Sequence, residues 1–163
     1  MKLFPVQFKI DGEEVKGEFP AHLTLLQVLR ELGHFHVKNG CEKGDCGACA
    51  VLLDGEEVNS CLVLAVQANG REVTTVRSLG TVDNLHPLQS NFIEHGAIQC
   101  GFCTPGMLTS AKALLDKNPS PSRQEIREGI AGNLCRCTGY VKIVDAIEAT
   151  AIQLKDQGKR SRK

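Results

Sequence analysis

A chain of 163 residues, 42% hydrophobic and 23% charged, has room for one ordinary domain or two small ones, which excludes a large multidomain enzyme and, by composition, a disordered or collagen-like chain. Nineteen basic residues offset nineteen acidic ones, Trp is absent and Tyr occurs once, so neither an overall field nor a stacking platform favours nucleic acid. No apolar run approaches the roughly 20 residues that span a bilayer, and the first fifteen residues carry Lys9 and Asp11 inside their only apolar stretch, unlike a signal-peptide core; the expectation is a cytoplasmic protein with no membrane insertion.

The predicted elements begin with a β-hairpin, in which Val6, Phe8 and Ile10 alternate with polar residues, Asp11-Gly12 turns the chain, and Val15, Gly17 and Phe19 alternate again. Thr24 is placed to cap a helix carrying Leu25, Leu26, Val28, Leu29 and Leu32, with Gly33 at its end. A Gly- and Cys-rich loop from Asn39 to Cys49 follows. Ala50 to Leu53, the turn Asp54-Gly55 and Glu56 to Ser60 predict a second hairpin, and Glu72 to Val76 a further strand. From there the period changes. Residues 85–95, 104–117, 122–130 and 141–155 read as helices, with Thr104 as N-cap and Pro105 at N1 of one, Asn118-Pro119 stopping it, and Ser122 with Glu125 as the capping box of the next. The basic end Lys159-Arg160-Ser161-Arg162-Lys163 is expected to fray and stay solvated. The expected fold class is therefore α+β, with a small mixed β unit at residues 1–78, a four-helix unit at 79–163, and Ser78 to Asn84 joining them.

Eight cysteines are the outstanding compositional fact, and in a reducing compartment clustered cysteines serve as metal ligands or redox groups more often than as disulfides. Cys41, Cys46 and Cys49 are spaced C-x4-C-x2-C, with Cys61 beyond. That is the plant-type [2Fe-2S] spacing, and Gly40, Gly44 and Gly47 allow a tight loop whose N–H groups face the sulfurs. Zinc is the alternative, although zinc favours paired C-x2-C knuckles. Cys100, Cys103, Cys135 and Cys137 form a second set, C-x2-C and C-x1-C, placed at predicted helix ends, with Cys103 just before a helix N-terminus, which stabilises thiolates. On spacing alone this set suits an all-cysteine metal site, either iron-sulfur or zinc, while a thioredoxin-like dithiol lacks its βαβ context.

Three strings carry a family resemblance: Gly40-Cys41-Glu42-Lys43-Gly44-Asp45-Cys46-Gly47-Ala48-Cys49, Gln99-Cys100-Gly101-Phe102-Cys103-Thr104-Pro105-Gly106-Met107, and Gly132-Asn133-Leu134-Cys135-Arg136-Cys137-Thr138-Gly139-Tyr140. Over about residues 4–152 the chain resembles the small iron-sulfur subunit of molybdenum hydroxylases, the xanthine oxidase family. The resemblance implies an N-terminal β-grasp, plant-ferredoxin-like domain holding a [2Fe-2S] cluster on Cys41, Cys46, Cys49 and Cys61, followed by a C-terminal four-helix bundle holding a second [2Fe-2S] cluster on Cys100, Cys103, Cys135 and Cys137. It implies a large subunit with molybdopterin, as the cytosine dinucleotide, and a medium subunit with FAD, assembled as a dimer of heterotrimers. It also gives Gln99 a role, hydrogen bonding to the pterin.

The remaining polar candidates are weaker. His22, His34, His36, His86 and His95 show no metal-pairing spacing, which favours surface or helix-end roles, and Arg136 between two cysteines suits cluster-charge compensation, an interface ion pair or a solvated site equally. No nucleophile, general base or pocket motif is present, so the chain is read as an electron carrier with no substrate site of its own. A free-standing two-cluster ferredoxin is the alternative, disfavoured by the neutral charge, and a zinc interaction module is the third reading.

Overall fold

The computed structural model describes residues 2–160. Strands β1 (Leu3–Ile10) and β2 (Glu13–Pro20) pair antiparallel over their whole length, from Leu3↔Pro20 to Ile10↔Glu13. Asp11 and Gly12 both have positive φ, 52° and 87°, as the tight hairpin turn that matches strand twist requires. Val6, Phe8 and Ile10 point into the core while Gln7 and Lys9 face solvent. Helix α1 (Leu25–Glu31) starts at a reciprocal cap between Thr24 and Gln27, and it buries Leu25, Leu26, Val28 and Leu29. It covers a five-stranded sheet completed by β3 (Ala50–Leu53), β4 (Glu56–Asn59) and β5 (Glu72–Thr74) in the order β2-β1-β5-β3-β4, with β1 and β5 parallel.

The expected strand to Val76 stops at Thr74. Thr75 leaves the ladder because its N–H and hydroxyl both donate to the Asp11 carboxylate, at 2.6 and 2.7 Å, and a 3-10 turn, Val76–Ser78, follows. The expected strand to Ser60 stops at Asn59, where a 3-10 turn, Ser60–Leu62, begins, and a further one, Ala65–Ala68, lies where no element was expected.

Four α-helices make up the rest of the described chain: α2 (Pro87–Glu94), α3 (Thr104–Lys117), α4 (Arg123–Gly129) and α5 (Val141–Arg160). Their shared core includes Leu88, Phe92, Met107, Ile126, Ile143 and Ile147, separate from the core under the sheet. α2 begins two residues later than expected because His86 caps it, its Nδ1 accepting the Leu88 N–H at 3.1 Å. The expected cap on α3 is corrected: Thr104 is already helical, Cys103 is the N-cap without a side-chain hydrogen bond, and Pro105 therefore sits at the second position. Ser122 and Glu125 do form the capping box of α4. Arg123 ties α4 to α5 by donating to Asp145 at 2.7 Å and to Glu148. α5 extends five residues beyond the expected end; Ser161 to Lys163 of the basic end lie outside the described residues.

The two cores meet where α3 lies on β3. A Cβ on Gly106 would stand 2.3 Å from the Gly47 carbonyl oxygen, and one on Gly47 would stand 2.5 Å from the Gly132 carbonyl. Only paired glycines let the start of α3, the Cys loop and the 132–133 turn come this close.

Candidate metal centres

Cys41, Cys46 and Cys49 lie on the loop between α1 and β3, and Cys61 on the 3-10 turn Ser60–Leu62 brings the fourth thiol to it. Local polar contacts hold this arrangement. The Ser60 hydroxyl donates to the Cys49 carbonyl at 2.8 Å, the Asn59 amide to the Gly44 carbonyl at 3.2 Å, and the Cys49 thiol faces Asn59 Oδ1 at 3.8 Å. Gly44 has φ 82°, and a side chain there would strike Leu62.

The thiols interact in pairs, Cys41 with Cys46 and Cys49 with Cys61. The Lys43 N–H, 3.4 Å from Cys41 Sγ, leads the donors that hold the Cys41 thiol down at about 7. Burial pushes Cys46 up, and burial together with the shared Cys49 contact pushes Cys61 up to about 11.

The second group repeats the pattern at the ends of α2, α3 and α5. Cys103 pairs with Cys135, and Cys100 with Cys137. Burial raises Cys103 to about 12, with Cys135 adding to it. Burial also works against ionising Cys135, yet the Thr138 hydroxyl and the N–H groups of Thr138 and Cys137 bring that thiol down to about 7. Cys137 is raised by its contact with Cys100.

Two residues without an assigned role from sequence frame Cys135. Its N–H donates to the Tyr140 hydroxyl at 2.8 Å, and its Sγ lies 3.1 Å from Thr138 Oγ1, which accepts the Tyr140 N–H at 3.2 Å. When Cys135 is a thiolate it has no proton to give, so in that form the Thr138 hydroxyl is the donor to the sulfur. Tyr140 takes φ 68° to close this small ring of contacts, a strained choice for a bulky residue. The signal in sequence was the short spacing, three and five residues after the cysteine.

Each group thus offers four thiols in hydrogen-bonded pairs whose protons a metal cation would replace, with backbone N–H groups turned to sulfurs in both; in the first group a Cβ on Gly40 would stand 2.8 Å from Cys46 Sγ. Those features suit an anionic iron-sulfur cluster, which would supply one-electron transfer if held there. The groups are also stitched to each other: Leu134 N–H donates to the Cys46 carbonyl at 2.9 Å and the Asn133 amide to the Gly47 carbonyl at 3.1 Å. Gln99 is exposed on the loop between α2 and α3, directly before the exposed Cys100. Arg136, His22 and His95 are exposed, and His86 is the α2 cap. His34 and His36, unpaired by spacing, stand together beside Asp11.

Comparison with known proteins agrees with this geometry. Residues 8–77 match the family described as 2Fe-2S iron-sulfur cluster binding domain, and residues 75–148 match the [2Fe-2S] binding domain family. The chain is 55% identical over 143 residues to the nicotine 6-hydroxylase small subunit of Paenarthrobacter nicotinovorans, covering 87% of this chain and 86% of that protein. Among solved structures it is similar to quinoline 2-oxidoreductase from Pseudomonas putida 86, with a TM-score of 0.90 and 45% identity over 96% of this chain and 98% of that one. It is also similar to aldehyde oxidoreductase from Desulfovibrio gigas, with a TM-score of 0.90 and 42% identity over 94% of this chain but only 17% of that one. The two cysteine groups, the order of the two matched domains and the whole-length relatives place the chain in one family: it belongs to the small [2Fe-2S] iron-sulfur subunits of the molybdenum hydroxylases, the xanthine oxidase family.

Proposed function

We propose that this chain is the electron-transfer subunit of a molybdenum-dependent hydroxylase or dehydrogenase, working in the cytoplasm between the molybdopterin site of a large subunit and the FAD of a medium subunit. In this reading residues 1–78 form a β-grasp, plant-ferredoxin-like domain whose cluster is held by Cys41, Cys46, Cys49 and Cys61. Residues 79–163 form a domain built on a four-helix bundle, whose cluster is held by Cys100, Cys103, Cys135 and Cys137. When bound, the two [2Fe-2S] clusters supply one-electron transfer. The chain's own residues join the two cysteine groups through a path of covalent and hydrogen bonds.

One observation carries the proposal: the hydrogen bond from Leu134 N–H to the Cys46 carbonyl. It joins the residue before Cys135 to a cysteine of the other group, so a relay crosses between the groups without leaving the protein. Two apolar surfaces support the partner assignments. Ile98 and Phe102, both exposed, flank Gln99 and Cys100 in sequence, and the exposed Leu134 precedes Cys135; this side faces the large subunit in the proposal, with Gln99 hydrogen bonding to its pterin, read as the cytosine dinucleotide. Leu62 is 63% exposed beside Cys61, with Leu64 close by in sequence, which suits the flavin subunit; side chains of this kind belong under a partner rather than in water. A free-standing ferredoxin fits less well, because the neutral charge gives no docking field and the similar unit of Desulfovibrio gigas lies within a far longer chain.

Isolation of the native protein tests this directly. Size-exclusion chromatography is expected to show the chain eluting with two larger subunits as a dimer of heterotrimers, with iron and acid-labile sulfide for two [2Fe-2S] clusters per chain. A free 17.7 kDa species holding all the redox activity of the extract would sink the proposal in favour of the ferredoxin.

Thr138→Val provides a finer test. Removing the hydroxyl aimed at Cys135 withdraws a donor that favours the more negative, reduced cluster. The midpoint potential of one cluster is expected to fall by on the order of tens of millivolts, the one-electron equivalent of part of a hydrogen bond to a charged group. Potentiometric titration followed by electron paramagnetic resonance reads the shift, and the other cluster should not move.

A further inference from the structure

We propose that Asp11, His34 and His36 form a binding site for one divalent transition ion of the zinc class, separate from both cysteine groups. One carboxylate oxygen and one ring nitrogen from each histidine lie within 4.8 Å of one another, and all three residues are half-buried. His34 Nδ1 is buried and finds no hydrogen-bond partner among the described residues. A buried nitrogen in that condition is rare, because losing water without a replacement contact is costly; an ion supplies the missing partner. The two rings meet edge to face with centroids 5.5 Å apart, close enough to converge on one ion.

The supporting contacts resemble those that orient metal ligands. Thr75 donates its N–H and hydroxyl to the Asp11 carboxylate, at 2.6 and 2.7 Å, and its Oγ1 lies 2.8 Å from His36 Nε2. A hydroxyl already donating to Asp11 accepts from His36, so the ring carries one proton there. Burial, then His34, with Arg77 and Lys38 adding and Asp11 opposing, holds His36 below the usual imidazole range; the neutral ring is the form that ligates metal. A cavity of about 220 Å³ opens between Asp11, Glu13, His34, Arg77 and Ser78. It leaves room for water as a fourth ligand, and it is lined by one further carboxylate, Glu13, as well as by the Arg77 guanidinium. Two imidazoles, one carboxylate and an open position suit zinc and its neighbours rather than magnesium or calcium, which take oxygen ligands. An ion here would pin together the β1–β2 turn, the loop leading into Cys41 and the exit from β5.

The experiment loads the iron-containing protein with zinc chloride, removes excess by desalting, and measures zinc and iron by mass spectrometry and the ligand set by X-ray absorption at the zinc edge. One retained zinc per chain, iron unchanged and two imidazoles among nitrogen and oxygen ligands is the expected result. His34→Ala and Asp11→Asn, with iron content reporting that the fold stands, should each weaken zinc retention by at least about tenfold. No retained zinc overturns the site. So does zinc with sulfur ligands displacing iron, or zinc held equally by both variants. Should a variant misfold, the two-imidazole signature of the unmodified protein decides alone. Failure of the cluster assignments would appear separately, as iron-free protein.

Discussion

Cys46→Ser is expected to remove one of the two [2Fe-2S] signals from the electron paramagnetic resonance spectrum of the reduced protein, halve the iron content, and leave the other signal in place. Serine oxygen is a harder and far less acidic donor than a thiolate, so it does not hold a cluster as cysteine does. The effect should stay on one side because the Cys46 thiol interacts with Cys41, while its link to the second group runs through its backbone carbonyl to Leu134. The substitution removes the sulfur and keeps the carbonyl. Cys135→Ser should give the mirror result, removing the signal that Cys46→Ser spares. A folded Cys46→Ser protein that loses both signals would contradict the assignment of the eight cysteines to two independent sets.

Gly106→Ala should lower the thermal midpoint by roughly 2–10 °C. The added methyl would lie 2.3 Å from the Gly47 carbonyl oxygen and 3.2 Å from the Ala48 Cα, and backbone atoms cannot rotate away as a side-chain tip can. Relief requires α3 to back off the Cys loop, an overpacking strain of about 1–3 kcal/mol, which in a chain of this size corresponds to about 2–4 °C for each kcal/mol. Helix propensity acts in the opposite direction, since Ala is favoured over Gly by roughly 1 kcal/mol within a helix; the position is in the first turn, where that gain is smaller. Gly132→Ala is the control. Nothing lies within 4 Å of a Cβ at that position, and it should leave the midpoint within a degree or two. Equal effects at the two glycines, measured by calorimetry at one scan rate, would remove the close approach of α3 to the loop as the cause.

Features set by near neighbours along the chain are legible in the order of residues alone. The Asp11-Gly12 hairpin turn, the alternation of Val6, Phe8 and Ile10, the Thr24 cap of α1 and the Ser122–Glu125 capping box each depend on residues a few positions apart, and each is present in the fold. Short spacing accounts for only one of the thiol contacts, Cys41 with Cys46; Cys49 meets Cys61, Cys103 meets Cys135 and Cys100 meets Cys137 through the fold. The expected N-cap at Thr104 fails where the local rule meets a tertiary demand: the Cys103 backbone is drawn into helical geometry, φ −78° and ψ −16°, with its sulfur turned to Cys135. The expected strand end at Val76 fails because Thr75 is claimed by Asp11, 64 positions away.

By itself, then, the sequence determined that this protein is an α+β chain carrying two four-cysteine sets, the first on a glycine loop and the second at helix ends, in the pattern of the molybdenum hydroxylase small subunits. Tertiary structure alone decided how those sets are joined, through Leu134 to the Cys46 carbonyl and Asn133 to the Gly47 carbonyl, the latter across 86 positions. It also decided that Thr138 and Tyr140 clasp Cys135, and that Asp11, His34 and His36 converge. Spacing reveals ligands that share a turn, since a turn has few shapes; groups from distant segments meet only when the packing of two cores has chosen where each loop ends.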